Sequence, residues 1–285
     1  MTDRAAGPAV LRILLGTQLR RLREARGVTA QQAAQAIRGS ESKISRIELG
    51  RNAVREVDVA DLLSLYGVTD PAEREQLLSV ASQANQPGWW HRYQDVLPGW
   101  FQAYVGLEES AESIRSYDSQ FVPGLLQTED YAAAVLALGE FSADETERLV
   151  LLRKERQRRF LSAGQQLQVI VDESALRRPV GSTMQMRAQL EHLDRLCAQR
   201  VISLQVLPSP GAYIAPTSFS ILRFAPADLP DIVYIEQLTS AMYLDKRSDV
   251  DRYTEVMDRL GAASASAEDS RRIIRALRSE LRGAA

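Results

Sequence analysis

The spacing of apolar residues changes along the chain, and this change constrains the fold more than any other feature. From Leu11 to about Gln83, apolar residues recur every three to four positions, as on a series of short amphipathic helices. After about residue 166, branched apolar and aromatic residues instead concentrate in short runs bounded by Gly, Pro, Asp or Ser, as in strands. The two patterns predict an all-α domain followed by an α/β domain with a small mixed sheet.

Composition limits where the protein functions. Of the 285 residues, 45% are hydrophobic, which is enough to build two cores. A single cysteine, Cys197, excludes an internal disulfide, and its apolar surroundings favour a buried, unreactive thiol. No apolar run approaches the ~18 residues of a membrane span, and the first residues lack a signal-peptide pattern. We therefore expect a cytoplasmic protein without a membrane partner.

The sequence offers little support for catalysis or cofactor binding. His91 and His192 are the only histidines, and with one cysteine they cannot form a His/Cys metal site of sensible spacing. P-loop, nucleophile-elbow and HExxH patterns are missing. We expect no cofactor, no metal and no enzyme activity, and a structural role for both histidines, with pH or ligand sensing as the alternative.

Start and stop signals divide the amino-terminal part into five helices. The first is amphipathic around Leu19 and stops at Gly27. Thr29 and Ser40 then cap two helices joined by the turn "RGS", an arrangement that predicts a helix-turn-helix. We expect a flexible segment over residues 1–10 and a DNA-binding domain over residues 11–84.

The segments "LRRLREARGVTAQQAAQAI" and "SKISRIELGR" resemble the Cro/C1 (XRE) family of DNA-binding domains, over roughly Leu19 to Val80. The resemblance implies that Ala34 packs the two helices of the motif together and that Ile44 anchors the second helix; Ile47, at i+3, points inward with it. The sequence departs from the family at Arg38, where the turn usually has glycine. We expect Gly39 to take the turn conformation instead.

The near-zero net charge of −2 hides a strong polarity within this domain. Between Arg12 and Arg55, nine arginines and one lysine face three glutamates, a formal charge of +7. From Glu56 to Ala84, one arginine faces six carboxylates, a formal charge of −5. The basic half contains the helix-turn-helix, as expected of a segment that neutralises DNA phosphates.

Helical geometry assigns roles on the second helix of the motif, which enters the major groove by its amino end in helix-turn-helix proteins. Its outer face is predicted to contact base edges through Glu41, Ser42, Ser45 and Arg46. Residues at or beyond the rim of that face are predicted to contact backbone phosphates: Gln31, Ser40, Lys43 and Arg51. The alternative is an ordinary solvated face without a partner.

One such domain covers only a short site on double-stranded DNA. Proteins of this type usually bind as dimers to half-sites about one helical turn, ~34 Å, apart. We therefore expect a homodimer, as an inference from mechanism and not from any particular residue.

An aromatic segment follows the first domain. "NQPGWW" contains a Pro-Gly break, so we place a linker or hinge at residues 85–100. The aromatic side chains here favour a core, a ligand pocket or a partner surface, and the candidates for a surface are Trp89, Trp90, Trp100 and Tyr104.

The remaining residues, 101–285, predict a regulatory α/β domain. Four strands are predicted at "LQVIVDES", "ISLQVLPS", "SFSILRFA" and "DIVYIEQL", with a helix between the first two and two amphipathic helices at the end. An arginine-rich helix, "RLVLLRKERQRRFL", is interpreted as an ion-paired face or as a dock for an acidic partner, and a second nucleic-acid surface is the alternative.

"FVPGLLQTEDYA", "RKERQ" and "VIVDESALRRPVG" resemble the large domain of uncharacterised function that follows the helix-turn-helix in many actinobacterial regulators, including the WhiJ-like group. The resemblance implies a small acidic companion protein, encoded nearby, that changes DNA occupancy. Two other hypotheses stay open. In the first, the domain is a small-molecule receptor built on the aromatic segment. In the second, it is an enzyme that uses carboxylates such as Asp172, Glu173 and Glu236.

Overall fold

The structure is a computed structural model that describes residues 7–50, 52–199, 201–209, 213, 215–225 and 229–281. It separates into two compact units. The first comprises Met1–Arg92, Gln102–Ser110 and Pro226–Leu229, and the second comprises Tyr93–Phe101, Ala111–Ala225 and Pro230–Ala285. Across the described residues, no helix combines the length and the apolar character needed to cross a bilayer.

The five predicted helices all lie in the first unit. They are α1 Pro8–Ala25, α2 Ala30–Ala36, α3 Glu41–Glu48, α4 Glu56–Leu65 and α5 Pro71–Ala84. Residues 1–10 were expected to be flexible, but the chain is helical from Pro8 because Pro suits the first helical turn and Ala9 and Val10 are buried. Residues 1–6 lie outside the described residues.

The core of this unit lies beneath the helix-turn-helix. Leu19, Ala34 and Ile44 are at most 4% exposed, and Leu62 and Leu63 of α4 pack with them. Thr29, Ser40 and Asp70 each accept a hydrogen bond from a backbone N–H of the helix that follows. Capping and inward apolar positions therefore fix where these helices start and which side they bury.

Two glycines let α1 approach α3 very closely. A Cβ added at Gly16 would lie 2.4 Å from the Ile47 carbonyl oxygen, and one at Gly50 would lie 2.6 Å from the Ile13 nitrogen. Gly50 also has a positive φ of 63°. The backbone of α1 thus packs directly on the carboxyl end of α3, which no residue with a side chain would permit.

The aromatic segment contributes a 3-10 helix, Trp89–Tyr93, and the start of α6, Gly99–Ser110. Within the first unit, the Trp90 ring lies against Gly106, where an added Cβ would be 2.9 Å from the ring. Trp90 and Tyr104 are 5% and 7% exposed. They are therefore buried and do not form the partner surface that the sequence suggested, whereas Trp89 and Trp100 are half-buried.

The second unit is built on a six-stranded mixed sheet. In chain order its strands are β1 Ser113–Asp118, β2 Gln166–Asp172, β3 Ser203–Leu207, β4 Phe219–Arg223, β5 Ile232–Glu236 and β6 Ala241–Leu244. The spatial order is β3-β2-β1-β4-β5-β6, with β1, β2 and β3 parallel and the remaining pairs antiparallel.

The α/β class is confirmed, but the sheet has six strands and not about four. The strands that the sequence missed are β1 and β6. β1, "SIRSYD", has only two apolar residues, Ile114 and Tyr117, and sits at the centre of the sheet, while β6 is only four residues long. β1 lacks the continuous apolar run by which the other four were recognised, and the run of β6, "AMYL", is shorter than theirs.

Among the residues that the structure describes, the unit also contains six helices and a short 3-10 turn at Gly124–Leu126. The helices are α7 Glu129–Leu136, α8 Ala143–Ala163, α9 Glu173–Arg177, α10 Thr183–Ala198, α11 Arg247–Ala263 and α12 Ala267–Glu280. One sheet face packs on α11 through a core that includes Tyr117, Phe219, Val233, Met257 and Leu260.

Candidate nucleic-acid interface

The turn between α2 and α3 is made by Arg38. Its φ is 51°, in the left-handed region, whereas Gly39 has no positive φ. The Arg38 N–H donates to the Gln35 carbonyl (3.1 Å) and the Gly39 N–H donates to the Ala34 carbonyl (2.8 Å), which is the Schellman pattern. The expectation that Gly39 would take the turn was therefore wrong, because the pattern requires the left-handed residue one place earlier.

A buried ion pair holds α3 against α1. The Arg23 guanidinium donates to both carboxylate oxygens of Glu48, at 2.5 and 2.9 Å, and also to the Val28 carbonyl at 3.0 Å. Glu48 is 9% exposed. These bonds join the end of α1, the loop before α2 and the last turn of α3, so the orientation of α3 is fixed by more than apolar packing.

The outer face of α3 is free of the core. Ile44 and Ile47 are 1% and 4% exposed and face inward, whereas the four residues predicted to contact bases are all exposed: Glu41, Ser42, Ser45 and Arg46. Ser42 and Arg46 are four positions apart, and so are Glu41 and Ser45, which places each pair on adjacent turns of one face. Within the part of the chain that the structure describes, Arg46 has no hydrogen-bond or ion-pair partner.

Lys43 occupies a different position from Arg46. Its Nζ donates to Asp58 Oδ2 at 2.7 Å, and Arg55 donates to both oxygens of the same carboxylate, at 3.1 and 2.6 Å. Asp58 is 2% exposed. Burial raises the pKa of this carboxyl, but the hydrogen bonds from Arg55 and Lys43 outweigh it, and the pKa is lowered from 3.8. Lys43, predicted to contact phosphate, thus joins α3 to α4 in the free protein.

The other predicted phosphate contacts are only partly described. Gln31 is exposed on the first turn of α2. Ser40 is exposed and its hydroxyl caps α3 by accepting from the Lys43 N–H at 3.2 Å. Arg51 lies outside the described residues.

Further cations of this basic segment differ in exposure. Arg20 pairs with Glu24 on α1 at 2.9 Å, and burial lowers the pKa of Arg12. Arg21, Arg26 and Arg38 are exposed, as Arg46 is. The positive charge available to a polyanion therefore comes from a subset of the arginines. Arg38 contributes one of these charges, at the turn between α2 and α3.

Comparison with known families assigns both units. A family model described as a domain of unknown function (DUF5753) matches residues 101–276, which is more than half of the chain. The chain belongs to the DUF5753 family. A second model, described as a helix-turn-helix domain, matches residues 14–77. No curated protein and no solved structure matches the chain. This DUF5753 protein therefore carries a helix-turn-helix, which indicates a DNA-binding regulator.

Within the DUF5753 domain, the arginine-rich helix α8 is largely ion-paired. Arg148 pairs with Asp95, Lys154 with Glu129 (2.6 Å), and Arg158 and Arg159 both with Glu155 (2.6 and 2.7 Å). Arg153 donates to the Gln127 side chain at 2.6 Å. This arrangement favours the interpretation of α8 as an ion-paired face.

The carboxylates considered for catalysis are held in local hydrogen bonds of the DUF5753 domain. Asp172 accepts from the Ser174 N–H at 2.8 Å and caps α9, and Glu173 accepts from Arg177 at 2.7 Å. Glu236, at the end of β5, accepts from the Tyr234 hydroxyl at 2.9 Å. Among the described residues, no group of His, Cys, Asp and Glu side chains has a geometry that could hold a metal ion.

Two isolated groups of this domain have pKa values set by burial. Burial raises the pKa of the Cys197 thiol to about 11, so the thiolate is scarce at neutral pH. Burial also lowers the pKa of His192, and the nearby Arg195 adds to this effect. His91 is exposed in the 3-10 helix.

Proposed function

We propose that this DUF5753 protein is a sequence-specific transcription regulator that reads DNA with α3. The observation that carries the proposal is the outer face of α3. Glu41, Ser42, Ser45 and Arg46 are exposed on a helix whose inner side is fixed by Ile44, Ile47 and the Arg23–Glu48 pair. A rigidly held helix with unpaired polar side chains is suited to reading base edges.

Each side chain suits a particular contact. Arg46 donates to the O6 and N7 of guanine, Glu41 accepts from the N4 of cytosine, and the two serines bond to several bases. Gln31, Ser40 and Arg51 fit phosphates, which position the helix without reading sequence. Lys43 reaches a phosphate only by leaving Asp58, which makes it the weakest of the proposed phosphate contacts.

We further propose that the protein binds as a homodimer and belongs to the WhiJ-like regulators of the Cro/C1 (XRE) type. Under this proposal the DUF5753 domain receives a small acidic companion protein encoded nearby, which changes DNA occupancy. The alternative is a small-molecule effector. A melting shift caused by a metabolite in the absence of any companion would favour the alternative.

The DNA-binding part is tested by selection from a pool of randomised duplexes with the purified full-length protein. We expect one motif to be enriched, with two half-sites about one helical turn apart if the protein is a dimer. The logarithm of the affinity should fall linearly with the logarithm of the salt concentration. A bound pool with the same sequence content as the input would contradict the proposal.

The partner is tested by co-expression with the short acidic product of the adjacent reading frame. We expect the two proteins to elute together in size-exclusion chromatography and the complex to differ from the free regulator in affinity for the selected duplex. Separate elution would contradict the companion hypothesis while leaving the DNA-binding proposal intact.

A further inference from the structure

The DUF5753 domain contains a cavity at the edge of its sheet. The cavity has a volume of about 790 Å³ and lies where the parallel strands β1, β2 and β3 begin, next to the last turn of α8. Small-molecule sites in proteins usually enclose about 300–1,000 Å³. The cavity is thus large enough for a metabolite, and all of its described lining residues belong to the second unit.

The strand register places a row of polar side chains on one face at this edge. Gln168 pairs with both Arg115 and Ser203, and Ser113 pairs with both Gln166 and Arg223. Directly paired residues share a face, as do residues two apart on one strand. All six side chains therefore lie on the α11 face of the sheet, the face that Tyr117 and Phe219 continue into the apolar core.

The two arginines of this row are diagonal neighbours. Arg223 pairs with Ser113, and Arg115 is two residues further along β1, so their Cβ atoms are roughly 7–8 Å apart. No aspartate or glutamate is among the described residues that line the cavity. The lining therefore brings two positive charges together without a negative charge of its own.

Carboxylates outside the cavity orient both guanidinium groups. Arg115 Nη2 donates to Asp258 of α11 at 2.6 Å, and Arg223 donates through Nε and Nη2 to Asp231 at 3.1 Å. The hydrogen bond to Asp231 raises the pKa of Arg223. The Nε of Arg115 is buried and has no hydrogen-bond partner among the described atoms. These hydrogen bonds orient both guanidinium groups.

Apolar side chains line another part of the cavity. Ile114 and Leu167 lie on the opposite face of the sheet from the polar row, and they and Phe160 are at most 5% exposed. The accessible apolar surface of the lining is supplied by Leu161 and Val201, which are 53% and 37% exposed. The lining combines donors for an anionic group with an apolar surface, and its glutamines and serines supply further hydrogen bonds. This combination is complementary to an organic acid and not to a bare inorganic anion.

We propose that this cavity binds a small organic carboxylate, with its carboxylate at Arg115 and Arg223, its polar groups at the glutamines and serines of the row, and its apolar part on Leu161 and Val201. None of the described lining residues belongs to the aromatic segment or to α3. It does not depend on the proposed DNA contacts and can be tested without DNA.

The test uses matched pairs of probes that differ only in charge. N-acetyl-L-leucine and phenylacetate are titrated into the full-length protein, together with N-acetyl-L-leucinamide and phenylacetamide, and binding is followed by NMR and calorimetry. We expect at least one acid to bind about tenfold or more tightly than its amide, since a charge-assisted hydrogen bond contributes roughly 1.5–3 kcal/mol. Resonances of the cavity residues should shift.

Variants identify the site. Arg223→Gln and Arg115→Gln should each weaken binding of the acid about tenfold or more, whereas Arg272→Gln, on the exposed face of α12, should leave it unchanged. Thermal unfolding of each variant establishes that it is folded, and Arg223, being exposed, is the safer substitution. Acids that bind no better than their amides, binding that survives both variants, or equal displacement by inorganic phosphate would each overturn the proposal.

Discussion

Arg38 holds the turn of the helix-turn-helix in a backbone conformation that its side chain disfavours. Two other Schellman ends in the same unit use glycine at this position, namely Gly27 after α1 and Gly67 after α4, with φ of 68° and 75°. The left-handed region costs a residue with a Cβ about 1–2 kcal/mol. Glycine avoids this cost, but it recovers only part of the stability because it loses more conformational entropy on folding. Arginine at this turn therefore lowers the stability of the fold and places a cation beside α3.

Exchanging the residues at two of these turns tests this strain. Arg38→Gly should raise the free energy of unfolding by about 0.5–1 kcal/mol, and Gly27→Arg should lower it by a similar amount, because nothing lies within 4 Å of a Cβ at Gly27. Urea denaturation measures both. Equal stability of the two variants would show that the conformation of Arg38 carries no strain. Arg38→Gly should also weaken nonspecific DNA binding, since a cation is lost.

Gly16 determines how closely α1 and α3 pack. Gly16→Ala should lower the free energy of unfolding by about 1–3 kcal/mol, because the new methyl group would meet the carbonyl oxygens of Ile47 and Glu48 at 2.4 and 2.6 Å. Gly99→Ala is the matched control, since an added Cβ there meets nothing within 4 Å. Urea denaturation compares the two variants. A Gly16→Ala protein as stable as the control would mean that α1 and α3 can move apart at no cost in stability.

At the level of elements, α3 divides its cations between the fold and the surface. Lys43 bonds to Asp58 of α4, while Arg46, one turn later, points away from the core. The acidic half of the domain therefore contacts α3 through one buried carboxylate, that of Asp58. Asp58 anchors the amino end of the helix that is proposed to read DNA.

Asp58→Asn should destabilise the protein at neutral pH by about 1–2 kcal/mol, because the charged partner of Lys43 and Arg55 is lost. The folded pKa of Asp58 is lowered from 3.8, so its contribution is complete above that value and is lost as the pH falls through the folded pKa. The stability gap between the variant and the wild type should therefore close in acid. Urea denaturation across pH measures the gap.

Asp61→Asn is the control for this measurement, because it removes an exposed carboxylate from the same helix. It should change stability by only a few tenths of a kcal/mol at any pH. A gap for Asp58→Asn that stays constant down to about pH 2 would contradict the linkage argument.

For the molecule as a whole, the sequence was sufficient wherever a local signal decided the structure. Thr29 and Ser40 cap helices as predicted, Ile44 and Ile47 are buried, and all four strands predicted from continuous apolar runs are present. Local signals failed where a contact between residues on different elements decides the structure. The close approach at Gly16 depends on how two helices cross. The Lys43–Asp58 pair joins two residues that are 15 positions apart and lie on different helices.

The central strand β1 illustrates the same limit. Its sequence "SIRSYD" places Ser113 and Arg115 on the face where the proposed carboxylate site lies, so the polar residues that hid the strand have a functional interpretation. The cavity itself could not be predicted, because its polar row comes from four strands spread over more than 100 residues. Parallel sheets usually bind ligands at the carboxyl ends of their strands, and this cavity lies at the opposite edge.

The central claim is that the exposed face of α3 reads DNA sequence. The most direct measurement is the affinity of the full-length Arg46→Ala protein for the selected duplex and for a scrambled duplex of equal length, with Arg272→Ala as the control for loss of a cation from the second unit. We predict that Arg46→Ala weakens binding to the selected duplex by about 1–3 kcal/mol and changes binding to the scrambled duplex much less. Equal losses on the two duplexes, or no loss on either, would contradict the claim.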